Sequence, residues 1–399
     1  MPDENVVILG GGIGGLVASN VLKTRLGDRA TVTVVERKKQ FQFPPSYPWL
    51  MLGWRKPEQV QKDLSPVKKR GIEVVNDEVQ IIDIEKKDIR TKEDEFSYDH
   101  LIVALGAEYA PNTIPGFEEH AHHIYDLDSA IRFQDVVESF EGGTVAVGVS
   151  RIPFKCPAAP YEVALLLDYH YTKKGIRDKV TFQFFTPEGV PLPAAPPDIG
   201  SKVLEFFESR GINYHLKLKL TEVRPRELHF ENGRTIPFDL LFCVPPHRAP
   251  GAVAEAGLTD ETGWIPVNPE TLETKHENVY AIGDVTSLPT PEGYVPYLPK
   301  AGVFAHGQAE VVANNIAVKI KGGGELKKWD GWGECFLETG YGKSGFVEGA
   351  FIGGPKPEFQ FYTPSRMRHM QKVLFEKYWM HHWFTDPWLA RLEDLLFGW

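Results

Sequence analysis

Three cysteines, an N-terminal glycine run and a distant Gly-Asp pair carry most of the chemistry available to this sequence. Cys156, Cys243 and Cys335 show neither metal-ligand spacing nor a Cys-x-x-Cys-His pattern, so no metal is expected. Cys156 sits in Phe154-Lys155-Cys156-Pro157-Ala158-Ala159-Pro160-Tyr161-Glu162, just ahead of a helix-like run. A helix N-terminus there can lower its pKa and favour the thiolate, the form that attacks disulfides and persulfides. Glu162 falls in the first turn of that run. Cys335 lies among aromatics, in Gly333-Glu334-Cys335-Phe336, whereas Cys243 falls inside the apolar run Leu240–Val244 and reads as core. Near the N-terminus, Gly10-x-Gly12-x-x-Gly15 follows the apolar Val6–Leu9 and opens a helical pattern that runs to Leu26. A β-branched run, Thr31–Val35, then ends at Glu36, about 20 positions beyond Gly15, with Arg37 beside it as a further contact. Strand, glycine turn, helix, strand and acid together form a dinucleotide fingerprint. Gly10 permits the turn, Gly12 admits a pyrophosphate, Gly15 lets helix and strand pack, and Glu36 can accept ribose hydroxyls.

These residues need a doubly wound scaffold. Further strands are expected near Val74, Ile81 and His100–Ala104, and a second α/β segment begins at Thr144–Val149. It continues through a helix near Tyr161–Tyr169, a strand at Val180–Phe185, a proline-rich loop from Pro187 to Pro197, and a helix near Lys202–Ser209. Asp239–Val244 and Val279–Ile282 read as buried strands. After Gly322 the composition turns rich in Trp, Phe, Tyr and Gly, which marks a separate C-terminal segment. The fold class is α/β: two Rossmann-like dinucleotide-binding domains of the glutathione-reductase type plus a C-terminal amphipathic helical segment. The expected boundaries are 1–109 with 239–322 for the first domain, 110–238 for the second and 323–399 for the C-terminal segment.

Composition narrows the function classes. The 399 residues are 42% hydrophobic and 25% charged, with a net charge of -10 that argues against nucleic acid as a partner. No run of about 18 apolar residues exists to span a membrane. The start, Met1-Pro2-Asp3-Glu4-Asn5, has neither a basic n-region nor an apolar h-region, so no signal peptide is evident and a cytoplasmic location is expected. At the other end, Arg366–Phe384 reads as a helix with Met367, Met370, Val373, Leu374 and Tyr378 on one side and a local basic surplus. Asp386-Pro387 reads as the start of a second helix, carrying Trp388, Leu392, Leu395 and Trp399. Aromatic tips and basic charge on apolar stripes point to interfacial contact, hence a peripheral membrane protein on the cytoplasmic face.

Two segments identify the first dinucleotide as FAD. Tyr98-Asp99-His100-Leu101-Ile102-Val103-Ala104-Leu105-Gly106-Ala107 resembles the strand and glycine turn that flavoproteins of the glutathione-reductase superfamily place near the cofactor. Thr274, followed by Val279-Tyr280-Ala281-Ile282-Gly283-Asp284, resembles that superfamily's second FAD motif, whose aspartate meets a ribityl hydroxyl. In that superfamily the helix that follows, here after Leu298-Pro299-Lys300-Ala301-Gly302, points its N-terminus at the flavin, so the resemblance implies that Lys300 can stabilise the reduced ring. The second domain lacks a matching nicotinamide fingerprint. Val147-Gly148-Val149-Ser150-Arg151-Ile152-Pro153 keeps only Gly148, and proline removes amide donors.

Over nearly its whole length the sequence resembles the sulfide:quinone oxidoreductase and flavocytochrome c sulfide dehydrogenase family. The likeness rests on Cys156-Pro157-Ala158-Ala159-Pro160-Tyr161-Glu162, Phe238 to Pro246, Gly263-Trp264-Ile265-Pro266-Val267 and the late Cys335. It implies that Cys156 and Cys335 are paired redox cysteines that take sulfide, with Cys335 facing the flavin, and that electrons leave to a membrane quinone. It further implies that Glu162 is a candidate proton carrier and that Phe336 and Phe346 fall on the quinone side. The chain departs from the family by having no cysteine before Cys156 and no histidine after Pro187-Glu188. Three other readings stay open: a flavoprotein subunit that reduces a c-type cytochrome, a type II NADH:quinone dehydrogenase, and a redox-silent FAD-binding scaffold. A homo-oligomer is compatible with all of them.

Overall fold

The computed structural model describes residues 4–290, 295, 297–352, 358–385 and 389–390. The chain opens with strand β1 (Glu4–Leu9), helix α1 (Ile13–Leu26), β2 (Ala30–Val35), β3 (Glu73–Val75) and β4 (His100–Val103). It moves into β5 (Gly143–Val149), α2 (Ala159–Lys174), β6 (Val180–Phe185), β7 (Ile212–His215) and β8 (Leu240–Val244). Strand β9 (Val279–Ala281) and helix α3 (Gly302–Lys321) follow. The C-terminal region holds β10 (Trp332–Gly340), β11 (Lys343–Ala350), β12 (Glu358–Ser365) and helix α4 (Arg366–His382).

Two parallel sheets form the centre, in the orders β9-β4-β1-β2-β3 and β7-β6-β5-β8. Parallel strands covered on both faces read as unbroken apolar runs, and Val6–Leu9, His100–Val103 and Leu240–Val244 are buried throughout. Helices α1 and α3 pack on the first sheet through Leu16, Val17, Leu22, Val312 and Ile316, all at most 2% exposed. Helix α2 sits on the second sheet, with Tyr161 stacked on Phe184 at 4.7 Å.

The structure corrects two expectations. The boundary expected at residue 239 falls inside the second sheet, because β8 pairs parallel with β5 from Val145↔Leu240 to Val149↔Val244. The apolar run alone could not say which sheet would take this strand. The C-terminal region is also not wholly helical: β10, β11 and β12 form an antiparallel sheet before α4 begins. Their tight turn, Tyr341-Gly342, has φ of 57° and 65°, the left-handed pair that joins such strands. The second C-terminal helix expected from Asp386-Pro387 lies outside the described residues.

Helix α4 starts at Ser365, whose hydroxyl accepts from the Arg368 N–H at 3.2 Å. Its polarity is inverted. Lys372, Glu376, Trp379 and His382 are buried, while Met367, Met370 and Leu374 are 63%, 54% and 55% exposed. The inward charges are paired: Arg55 binds Glu376 at 2.6 Å, and Ser46 donates to the same carboxylate. Among the described residues no helix is long and apolar enough to cross a membrane.

Candidate active site

The glycine turn after β1 builds the first half of the site. Gly10 has φ of 102°, and a Cβ there would meet the Ala104 carbonyl oxygen at 2.4 Å. A Cβ on Gly15 would come within 1.8 Å of the Gly10 oxygen, so β1 and α1 can approach only through glycine. A Cβ on Gly12 would meet nothing within 4 Å, since that position faces the open groove. Glu36 accepts from the backbone N–H groups of Gly11 at 2.7 Å and Lys38 at 2.9 Å, which fixes its carboxylate at the groove's edge. The groove encloses about 330 Å³ and is lined by the glycine turn, Glu36, Arg37, Gly106, Gly283 and Asp284. Arg37 also pairs with Glu78 at 3.2 Å on the surface.

Asp284 is the informative residue. Burial pushes its pKa up against the pull of Lys155 and Lys300, and its Oδ1 is buried with no hydrogen-bond partner. An orphaned carboxylate oxygen on a groove wall is satisfied by a ligand hydroxyl. Together with an α3 N-terminus that no side chain caps, this fits FAD. Lys300 is placed differently from its expected role. Its ammonium donates to the backbone carbonyls of Asp284 at 2.7 Å and Thr286 at 3.0 Å, and lies 3.4 Å from the centre of the Trp264 ring. Burial lowers its pKa to about 7. Lys300 braces the Gly283-Asp284 turn from behind and is not among the residues that line the groove.

A second cavity, of about 1090 Å³, adjoins the groove. Cys156 and Cys335 both line it, with Glu162, Phe336, Lys372 and Trp379. Tyr125, Lys155, Asp284 and Gly302 line both spaces and form the passage between them. The cysteines arrive from opposite sides. Cys156 sits at φ 54° in the turn before α2, its N–H bonded to the Lys300 carbonyl at 2.7 Å, whereas Cys335 is on β10. Cys243 is fully buried in β8, away from this cavity.

The thiols are not poised as the helix N-terminus alone would predict. Burial, then Glu162, pushes Cys156 up to about 12, although Lys372, Lys155 and the Ala159 N–H oppose this. Cys335 is raised well above the ordinary thiol value by burial, Cys156 and Glu162. Desolvation of a thiolate outweighs one helix N-terminus on a cavity wall. Glu162 itself is 3% exposed. It accepts from Lys372 at 3.0 Å and from the Glu338 N–H at 2.8 Å; burial raises its pKa against both.

Several participants were not legible from sequence. Burial alone would lower Lys155, but Tyr109, Asp284 and Cys156 outweigh it and hold its pKa up, so a cation stands in the passage. Lys372 is a buried partner on α4, and Trp49 stacks under its ammonium at 4.9 Å. Phe375, Trp379, Trp383 and His306 line the outer part of the cavity. Of the two expected phenylalanines, Phe336 lines the cavity and Phe346 packs on it at 4.8 Å, outside the lining.

Gly148, the one glycine kept in the second segment, lies inside the second sheet. A Cβ on it would meet the ring of its cross-strand neighbour Phe185 at 2.3 Å, so this glycine serves packing within the sheet. Arg151 turns inward and donates to the Ser150 and Leu220 carbonyls.

Residues 4–309 match the family described as pyridine nucleotide-disulphide oxidoreductase. The chain belongs to that family. It is an FAD-dependent oxidoreductase with the mixed α/β fold of the group. Among characterised proteins it is 28% identical to the mitochondrial sulfide:quinone oxidoreductase of Mus musculus, over 89% of this chain and 80% of that one. It is 27% identical to the sulfide-quinone reductase of Aquifex aeolicus, over 94% and 90%. The crystal structure of the sulfide:quinone oxidoreductase from that hyperthermophilic bacterium superimposes with a TM-score of 0.86 at 25% identity, covering 99% of this chain and 96% of that one.

Proposed function

We propose that this protein oxidises sulfide to sulfane sulfur or polysulfide at Cys156 and Cys335 and passes the two electrons to a membrane quinone. The observation that carries this reading is the convergence of both cysteines on one cavity that adjoins the dinucleotide groove. The likeness to sulfide:quinone oxidoreductases supports it.

In this reading FAD, when bound, supplies the two-electron relay between sulfur and quinone. Gly10, Gly12, Gly15, Glu36, Arg37, Gly106, Gly283 and Asp284 hold it without a covalent link, since no cysteine precedes Cys156. Cys156 and Cys335 form the bridge that hydrosulfide opens, giving a persulfide on one sulfur and a thiolate on the other. Lys155 and Lys372 hold positive charge where that thiolate appears, and Glu162 takes the proton of the incoming sulfur. Phe336, Phe375 and Trp379 give the outer cavity the flat apolar walls that a quinone ring requires. The exposed Met367, Met370 and Leu374 rest this mouth on the bilayer surface, the protein being peripheral.

The test is anaerobic reduction of a short-chain quinone by purified holoprotein, with sulfide or NADH as donor. Sulfide is expected to drive it and NADH is not, because Val147–Pro153 keeps only one glycine of a nucleotide fingerprint. Rapid NADH-driven reduction with sulfide inert would replace this reading with an NADH:quinone dehydrogenase.

A further inference from the structure

The wall of the sulfur cavity continues into a string of ionisable groups that reaches the surface. Glu162 on α2 bonds Lys372 on α4 at 3.0 Å, with side chains only 4% and 8% exposed. Glu162 also accepts the backbone N–H of Glu338 at 2.8 Å. The Glu338 carboxylate on β10 is fully buried and faces His369 Nδ1 at 3.0 and 3.1 Å through its two oxygens. His369 is 23% exposed and sits one turn before Lys372 on the same helix face. Lys372 bonds Glu162 and also senses the charge of Glu338: burial would lower its pKa, and the two carboxylates outweigh that and raise it. Thus α2, β10 and α4 each contribute a titratable group to one path from the cysteines to solvent. The next charge on α4, Glu376, is saturated by Arg55 and Ser46 and takes no part.

We propose that Glu162, Lys372, Glu338 and His369 form a proton exit from the sulfur cavity, with His369 as its solvent gate. The inference rests on the reading of the cavity as a sulfide-oxidising site. When hydrosulfide opens the cysteine bridge, the old S–S bond breaks and a new one forms on one cysteine. The other cysteine leaves as a thiolate carrying the bond's electron pair. The persulfide sulfur still bears the proton of hydrosulfide, and it must lose that proton before it can bond to sulfur again. FAD, when bound, would supply the acceptor for that electron pair; the proton goes to Glu162. A neutral Glu162, itself 3% exposed, blocks the next cycle until it is emptied. Lys372 can take its proton while giving one to Glu338, and Glu338 passes one to His369 Nδ1. His369 then releases a proton from its other ring nitrogen to water, as imidazole can with one nitrogen facing in and one out. A purely structural network would not need its last member to be a partly exposed histidine aimed at a fully buried carboxylate. Glu338 and His369 act through Glu162 and do not touch sulfur.

The experiment is turnover of the holoprotein with sulfide and a short-chain quinone, with His369→Ala, Glu338→Gln and their combination. Loss of one proton-transfer partner typically slows the dependent step by about 10²-fold, and His369→Ala is expected to lose at least tenfold in kcat with KM for sulfide little changed. Millimolar imidazole is expected to restore much of the loss in His369→Ala, since the gap opens to solvent, and none in Glu338→Gln. The double variant is expected to be no slower than Glu338→Gln alone. Melting curves report folding separately, and rescue by imidazole is a readout that a packing defect would not give. Full activity of both single variants, or a loss in His369→Ala that imidazole does not relieve, overturns the relay while leaving the sulfide reading intact. Failure of the unmodified protein to react with sulfide overturns both.

Discussion

At the scale of single residues, burial decides more than local sequence does. The helix N-terminus behind Cys156 was readable, and so was the expectation of a lowered thiol pKa. The burial and Glu162, which reverse the direction, were not, because they depend on how distant chain segments pack. Cys243 was legible as core, since a strand whose every position is apolar leaves its thiol no exit. Cys243→Ser is expected to keep sulfide-driven turnover and to lower stability by about 1–3 kcal/mol by burying a hydroxyl in an apolar strand, measured by denaturant unfolding. A large loss of turnover in a folded Cys243→Ser would move that thiol into the chemistry. Glu188 supplies a pH test. It is 8% exposed, it accepts from Thr186 at 3.1 Å and Tyr161 at 3.2 Å, and burial pushes its pKa up to about 7. Unfolded glutamate titrates near about 4.3, so between that value and 7 the folded state binds the extra proton. This contribution to stability is complete below the unfolded pKa and is lost as pH rises through 7. Glu188→Gln removes the dependence and is expected to be more stable than the parent at pH near 8, by about 1–3 kcal/mol, and equal to it near pH 4. Equal stability at both pH values would show that Glu188 does not titrate in this window.

At the scale of elements, the glycine turn and the Gly283-Asp284 turn were plain in the sequence because each needs a residue type for a steric reason local to it. Helix α4 was legible as a helix, yet its orientation was not. An apolar stripe normally faces a core, and here Lys372 and Glu376 face inward because Glu162 and Arg55 wait there for them. The stripe of Met367, Met370 and Leu374 is therefore left outside. Substituting all three with Ser is expected to weaken binding to phospholipid vesicles and to raise KM for a long-chain quinone, while changing melting by no more than surface substitutions do, roughly 0.5 kcal/mol each. Unchanged vesicle binding would take the membrane contact away from this helix. The β10–β12 sheet escaped notice because glycine and aromatic residues break the alternation that marks a strand with one wet face.

At the scale of the whole molecule, two parallel sheets bring a dinucleotide groove and a sulfur cavity edge to edge, with Lys155, Tyr125, Asp284 and Gly302 at the seam. The two-sheet plan was legible from strand, turn and helix order, whereas the route of β8 into the second sheet was a matter of pairing partners that no local pattern encodes. The central claim is that the cysteine pair delivers sulfide's electrons to the flavin. Its most direct test is an anaerobic sulfide titration of oxidised holoprotein without quinone, followed by flavin absorbance. The parent is expected to bleach with one sulfide per flavin, and Cys156→Ser and Cys335→Ser are expected to bind FAD but stay yellow. Bleaching of either serine variant at the parent's rate would contradict the account.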